Sequence, residues 1–544
     1  MVKKKNMQNK IINLLFVVVI ALILVNCANR GSPTGGPKDV TPPKIIKSTP
    51  ENYSTNFNGD EIIIYFDEYV KLKELSKQLI ISPPMSTPPE ITPLGGSNKY
   101  IRIKIYDTLQ PNTTYAFNFG NSIVDNNEEN PFKYFRYVLS TGNYIDSLTV
   151  KGSVKDALEY ATDQFISVVL YEADSTYNDS IIYKETPKYI TNTLDSTTNF
   201  TIENIKAGKY YLRALKDKNS DNKFQQRSDK IGFYETPIEI KQDSATKLYD
   251  LKLFKEAIDY KASKPYLVAG EKIAFGFQGD YENMKIKVIS KVPSKYKSRY
   301  FKDPKTDTLN YFYSPKLEVD SLLYQVVNKS VIDTFKVRIK DNLRDSLIIK
   351  SYPTGSIRLN EPLSIQGNIP FTNLDKSKIT IIDKDSTTIN YTTTYDSLNN
   401  KYNFLFDKTE DNRYKIQMLP EALTDFFENK NDTLNYNLRT ISKNSFGNAR
   451  IVLNNAVYPV IVQLTDDKGE VKFESYLTEP KPVDFDDIQP SKYYLRVIYD
   501  TNKNGIYDSG NYLKGIQPER VSYAKEPYEA KAGFEEIIPF TLLD

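Results

Sequence analysis

Hydrophobic and polar positions alternate along much of this chain. Ile62-Ile63-Ile64-Tyr65-Phe66, Tyr100 to Tyr106, Tyr115 to Phe119 and Phe135 to Leu139 are rich in β-branched and aromatic residues, and several keep a period of two. That period puts every second side chain on one face, the pattern of a half-buried strand. Asn-Gly, Gly-Gly, Pro-Asn and Asp-Asn-Asn fall between these segments and predict turns. Long stretches of helical spacing are missing outside the amino terminus. There an unbroken apolar run of 12 residues, Leu14 to Val25, follows Lys3, Lys4 and Lys5 and ends just before Cys27. A membrane span needs about 20 apolar residues, so the layout predicts a secretory signal peptide over 1–26. Beyond it, the alternation predicts an all-β protein of tandem β-sandwiches.

The pattern also repeats itself. Ala207-Gly208-Lys209-Tyr210-Tyr211-Leu212-Arg213-Ala214 is echoed by Pro490-Ser491-Lys492-Tyr493-Tyr494-Leu495-Arg496-Val497, and an Asp/Asn-rich loop comes after each, from Asp217 and from Asp500. A second echo links Tyr115, Ile123-Val124-Asp125 and Leu139 with Tyr414, Leu423-Thr424-Asp425 and Leu438. The economical reading is two copies of a pair of modules with a fifth module between them. The expected division is a tether over 27–41, then modules over 42–142, 148–255, 256–352, 353–444 and 445–544. Ala28 to Pro43 is rich in Gly, Pro and Ser without periodicity, as a flexible tether would be.

Pro42-Pro43, Thr49-Pro50-Glu51-Asn52, Tyr65-Phe66-Asp67-Glu68-Tyr69-Val70, Ile81-Ser82-Pro83, Leu109 to Tyr115, Ile123-Val124-Asp125 and Ser140-Thr141-Gly142 form an ordered set. The set resembles the bacterial Ig-like domain of S-layer and envelope proteins. It implies an Ig-like sandwich at 42–142 and, through the echo, a second at 353–444. Pro111 to Tyr115 reads as a turn into a strand whose tyrosine caps the sandwich end, like a tyrosine corner. Phe66-Asp67-Glu68 reads as turn-forming acids at a strand end. The modules at 148–255 and 445–544 resemble the transthyretin-like or carboxypeptidase-regulatory class, while 256–352 is read only as a β-sandwich of unassigned type. Leu24-Val25-Asn26-Cys27 resembles a bacterial lipobox, with Asn26 where a small residue is usual, as in the looser versions of Bacteroidetes. The resemblance implies cleavage before Cys27 and its acylation. Surface-exported lipoproteins of that group carry acids soon after the cysteine, whereas here the first acid is Asp39. The expected address is the outer membrane, with its periplasmic face favoured over the cell surface.

Composition narrows the chemistry. The chain has no histidine and no tryptophan, and Cys27 is its single cysteine. Ser-His-Asp and Cys-His nucleophiles and His-ligated metals are excluded. Glycosidase-type carboxylates and Ser-Lys nucleophiles survive, but no Gly-x-Ser-x-Gly elbow or phosphate-binding glycine loop is present. The expectation is a protein that is not an enzyme. Net charge is +3 from 72 basic and 69 acidic residues, spread so evenly that no nucleic-acid partner is expected.

Two candidate sites remain. Asp500, Asn502, Asn504 and Asp508 place oxygens at positions 1, 3, 5 and 9 of a loop with Gly505 at position 6, and Ile506 offers its carbonyl. That matches the first part of a calcium loop, although position 12 is Asn511 in place of a bidentate Glu. The competing reading is an ordinary Asx turn, with no cofactor. Asp followed by Ser or Thr and a small or aliphatic residue occurs at Thr108, Ser147, Ser175, Ser180, Ser196, Ser244, Thr308, Ser321, Ser346, Ser386, Ser397 and Thr433. Composition alone predicts about two or three such tripeptides. The pattern resembles the O-glycosylation signal of exported Bacteroidetes proteins and equally suits turns between strands. The functional expectation is a lipid-anchored structural, adhesive or scaffolding protein whose partners are the membrane and an unidentified envelope protein or glycan. The alternatives are a glycan-binding or glycan-degrading accessory lipoprotein and an accessory subunit of a secretion or gliding apparatus.

Overall fold

The computed structural model describes residues 38–193, 197–242 and 247–542. They form two compact units that part between Ile145 and Asp146. The protein is all-β, as its alternation predicts, and its apolar side chains gather in five separate cores, one to each module.

In the first module the strands Ile45–Thr49, Glu61–Leu72, Asn98–Lys104 and Glu90–Thr92 lie side by side in that order. Ile80–Ser82, Thr114–Asn118 and Arg136–Ser140 form the second sheet. Ile62, Ile64 and Phe66 from one strand and Ile101 and Ile103 from its neighbour are buried between the sheets, one residue in two. The Phe66-Asp67-Glu68 segment does not end its strand. A register shift between Tyr65 and Val70 bulges the strand and carries it on to pair with Ile123–Asp125. Asp67 accepts the Lys44 N–H at 2.8 Å across that bulge.

The second unit begins with a different sandwich. Tyr189–Asn192, Ser167–Glu172, Gly208–Lys216 and Lys230–Phe233 make one sheet; Asn199–Ile205, Leu148–Asp156 and Leu248–Leu253 make the other, with its last pair parallel. The final module repeats this order strand for strand. Val471–Leu477, Val460–Thr465, Lys492–Tyr499 and Val521–Tyr523 face Val483–Ile488, Gly447–Asn454 and Glu535–Thr541, again with a parallel last pair. Tyr210 donates to the Lys206 carbonyl at 2.9 Å and Tyr493 to the Gln489 carbonyl at 3.0 Å, so the repeat extends to the hydrogen bond that enters each central strand.

The two modules between them share the strand order of the first. In the third module, Lys272–Gln278, Thr308–Ser314 and Lys297–Lys302 follow the opening strands Lys261–Ala262 and Tyr266–Ala269 in one sheet. Lys285–Val288, Ser321–Asn328 and Val331–Arg338 form the other. First, second, fifth and fourth strands against third, sixth and seventh is the constant-type immunoglobulin arrangement, which the sequence of 256–352 did not reveal. The fourth module has the same order with three added short strands: Gly355–Ile357 pairs parallel with the last strand, Leu434–Thr440, and Phe371–Leu374 pairs with Leu423–Asp425, where the first module has Ile123–Asp125. The expected tyrosine cap is present in both: the Tyr115 hydroxyl accepts the Gln110 N–H and the Tyr414 hydroxyl the Thr409 N–H, each at 2.9 Å.

A buried aspartate closes both Ile123–Asp125 and Leu423–Asp425. Asp125 accepts the N–H groups of Asn127, Glu128, Glu129 and Asn130 at 2.8–3.1 Å. Asp425 accepts those of Phe427 and Asn429 at 2.8 and 2.9 Å. Burial alone would push the Asp125 carboxyl up, but the four N–H groups outweigh it and hold the group below its usual range. Asp125→Ala removes that acceptor and should destabilise the first unit by about 3 kcal/mol in urea unfolding. Because the folded carboxyl is the stronger acid, the wild-type advantage is complete above the free Asp value of about 3.9 and fades as pH falls below it. An Asp125→Ala loss that is the same at pH 7 and pH 2.5 would contradict this assignment.

Candidate functional site

Each copy of the echoed strand turns its outer face to loop residues of the other module. In Gly208–Lys216, Tyr210, Leu212 and Ala214 enter the module core, which leaves Tyr211, Arg213 and Leu215 on the other face. That face should be wet, yet Arg213 is 3% exposed and Leu215 fully buried. Arg496, the matching residue of Lys492–Tyr499, is also 3% exposed. Each guanidinium reaches into the other sandwich. Arg213 Nε donates to the Tyr512 hydroxyl at 3.2 Å, while its Nη atoms donate to Leu212 O, Tyr234 O and the Tyr177 hydroxyl at 3.0 Å. Arg496 Nη1 donates to Leu158 O at 3.0 Å and to the Tyr523 hydroxyl at 3.1 Å, and Nε to Gln463 Oε1 at 2.7 Å.

Aromatic rings and backbone complete the contact. Tyr512 packs edge-on against Phe233 with ring centroids 5.6 Å apart, and its N–H donates to Glu256 at 2.6 Å. On the other side Tyr160 lies against Tyr494 and Tyr523 at 4.7 and 5.2 Å. Gly510 is required here, because a Cβ would stand 2.6 Å from the Phe254 ring. The outcome is a joint between the second and fifth modules, which are neighbours in space and far apart in sequence. Sequence reasoning missed it, although an arginine kept at one place in two otherwise apolar strands was the available signal.

The Asp500 loop sits beside this joint. Asp500 is 1% exposed, and its two oxygens accept the N–H groups of Asn504 at 3.1 Å and Gly505 at 2.8 Å. The side-chain amides of Asn502 and Asn504 both donate to Asp508. Glu519 accepts the N–H groups of Thr501 and Asp508 at 2.7 and 3.0 Å. Ile506 is exposed. The loop from Asp217 uses the same plan: Asp217 accepts from Asn219, Ser220 and Asn222, and the buried Asp229 accepts from Lys218 and Gln225. Gly505 and Asn222 share a left-handed backbone, φ 77 and 58, so the Asn in the glycine's place is a working substitute. Asp500, Glu519, Asp217 and Asp229 organise backbone, while Asp508 holds two asparagine amides and Asp221 the Gln225 amide. Among the described residues no three Asp, Glu or Cys side chains converge as a metal cluster.

Cys27, Ser196 and Ser244 lie outside the described residues. Of the other Asp-Ser/Thr positions, Thr108, Ser147, Ser175, Ser180, Ser346, Ser386, Ser397 and Thr433 are exposed, and Thr308 and Ser321 are half-buried at the first residue of a strand. A hollow of about 550 Å³ in the third module holds Glu271 and Asp341, but Arg344 and Lys316 pair with them.

Residues 39–141 match the family model of the bacterial Ig-like domain. The first module carries that domain. No curated protein sequence matches the chain. Among solved structures, domains 1–6 of the surface layer protein SbsC align at 12% identity over 90% of this chain and 67% of that one, with a TM-score of 0.17. The Bacillus anthracis TIE protein aligns at 11% identity over 94% and 75%, with a TM-score of 0.13. The tandem Ig repeats of Dlar align at 12% over 34% and 96%, also at 0.13. Scores this low describe no common arrangement of modules.

The joint makes a direct prediction. Arg213→Ala leaves the Tyr177 and Tyr512 hydroxyls with each other, 3.2 Å apart, but takes away the donor they share; it should cost about 1.5–3 kcal/mol in denaturant unfolding of the full chain, with Arg213→Met milder. Combining Arg213→Ala with Tyr512→Phe should show a coupling above about 0.5 kcal/mol, whereas Arg213→Ala with Tyr115→Phe, which belongs to the other unit, should be additive. Additivity in both cycles would remove Tyr512 from the joint.

Proposed function

We propose that this chain is a non-enzymatic lipoprotein of the cell envelope, held at the outer membrane through a lipid on Cys27, that serves as a structural, adhesive or scaffolding element. One observation carries the reading. The most deeply buried charged side chains are engaged in architecture: Arg213 and Arg496 join two sandwiches, and Asp125, Asp425 and Asp500 cap backbone. Internal joints of that kind suit a protein whose task is to hold shape. We read the second and fifth modules as transthyretin-like and the exposed Asp-Ser/Thr turns as acceptors of O-linked glycans. The partner in this reading is another envelope protein or a glycan, and the periplasmic face is the favoured address.

Cys27→Ser in the native host should abolish fatty-acid labelling and move the protein from the membrane to the soluble fraction. Continued labelling would defeat the anchor. The intact mass of protein purified from that host should exceed polypeptide plus lipid by whole glycan units, and Ser175→Ala with Ser397→Ala should remove part of the excess. A mass equal to bare lipoprotein would end the glycan proposal.

A further inference from the structure

The third module holds the strongest local charge in an otherwise balanced chain. Between Glu282 and Asp303 there are seven cations (six of them lysines: Lys285, Lys287, Lys291, Lys295, Lys297 and Lys302, with Arg299) and no acid. Some of these are occupied. Arg299 donates to Phe371 O at 2.8 Å, Lys297 lies over the Phe426 ring and Lys302 is 3.8 Å from Asp307. Lys285 and Lys287 are different. They lie on the exposed face of the sheet formed with Ser321–Asn328 and Val331–Arg338, and neither has an ion pair among the described residues.

Strand register shows what shares that face. Lys285 is opposite Val327, which is opposite Ile332; Lys287 is opposite Gln325, then Thr334; Leu323 is opposite Lys336, and Ser321 opposite Arg338. Ile289 comes just after the first strand and donates its N–H to Leu323 O at 2.9 Å. Ile332 is 62% exposed, Ile289 45% and Leu323 40%. Asp333 alternates to the core side with Val326. The face therefore presents two aliphatic spots, Val327 with Ile332 and Leu323 with Ile289, on either side of Gln325 and Thr334, and Lys285, Lys287, Lys336 and Arg338 stand among them exposed and without an ion pair among the described residues. At one end a hollow of about 520 Å³ is lined by Lys264, Lys336, Arg338, Ser321, Thr334 and Phe335, with Asp320 as the one acid.

We propose that this face docks on a bilayer surface rich in anionic headgroups, with a headgroup phosphate in the hollow. Charge complementarity selects an anionic occupant. The surface is one face of a three-stranded β-sheet with aliphatic tips and long cationic stems that can lie along the acyl boundary while their heads meet phosphate. Each cation near such a surface strengthens partitioning by about fivefold. The proposal does not depend on the lipid at Cys27, and the labelling experiment decides that question separately.

The test is vesicle flotation with the full chain carrying Cys27→Ser, so that every variant has the same amino-terminal segment. Phosphatidylcholine vesicles are compared with vesicles containing about a third phosphatidylglycerol. The parent should partition at least about tenfold better onto the anionic vesicles, less so in high salt. Lys285→Glu, Lys287→Glu and Lys336→Glu together should lose at least about tenfold, the same three changed to Arg should retain binding, and Ile332→Ser should weaken it a few-fold. Thermal melting of each variant identifies any that fail to fold. Equal partitioning of parent and triple Glu variant, or no preference for anionic vesicles, overturns the proposal. Displacement by millimolar inorganic phosphate at constant ionic strength would make the hollow a free-anion site and also overturn it. Binding to polyglutamate but not to vesicles would assign the face to an acidic protein.

Discussion

A guanidinium shut away from water needs oxygen acceptors for its N–H groups, and the fold that buries it has to supply them. Arg213 and Arg496 meet that demand in the same way from the same position of one repeated sandwich, each using backbone carbonyls and tyrosine hydroxyls and drawing at least one acceptor from the other copy. The nearest carboxylates, Asp179 at 3.8 Å and Glu159 at 4.0 Å, are too distant to make these compact ion pairs. Directed hydrogen bonds are therefore the organising force, and they tolerate little displacement. The position of Tyr512, the narrow space at Gly510 and the route of the long loop after Tyr499 all follow from satisfying Arg213. In the same unit the third and fourth modules meet through a greasier contact, where Phe301, Phe312, Ile369 and Phe426 cluster and Arg344 lies over Phe427. One joint is polar and exacting, the other apolar and forgiving.

Carboxylates perform the complementary task. Backbone N–H groups in tight turns have no strand partner, and a buried acid that accepts several of them replaces a missing stretch of sheet. Asp125, Asp217, Asp229, Asp425 and Asp500 all act so. This is how Asp- and Asn-rich turns can border the sandwiches with their backbone N–H groups satisfied. The cost is sensitivity to acid wherever the carboxyl has been made stronger by its donors, as at Asp125 and Asp500.

Much of the fold was legible because strand alternation and internal echoes are local signals. Ile62, Ile64 and Phe66 announce their own burial, and the repeated Lys-Tyr-Tyr-Leu-Arg string announces a repeated strand. The Phe66-Asp67-Glu68 segment reads as a strand end because a bulge leaves no mark in hydropathy; it is fixed by two partner strands far away in sequence. The third module is opaque for a similar reason, since its immunoglobulin pairing resides in strand order and not in any residue string. At the joint the sequence holds the arginines but not their surroundings, as Leu158 O reaches Arg496 and Tyr512 reaches Arg213 only once two whole modules have formed. The basic segment from Lys285 to Lys302 disappears in the chain-wide charge balance, which averages over the very locality that makes it distinctive.

The first and last strands of the second module, Leu148–Asp156 and Leu248–Leu253, run parallel and pair over six consecutive positions. In such a pair the entering and leaving ends of the chain lie at opposite ends of the ladder. Tension applied through the chain therefore pulls the two strands past each other along their length, loading the rungs together and not peeling them one by one. The fifth module repeats the geometry over seven positions between Asn448 and Asn454. A molecule that is stretched between a fixed end and a moving load would meet its resistance in these two ladders, where strength is set by how many hydrogen bonds must break at once and not by the equilibrium stability of the module.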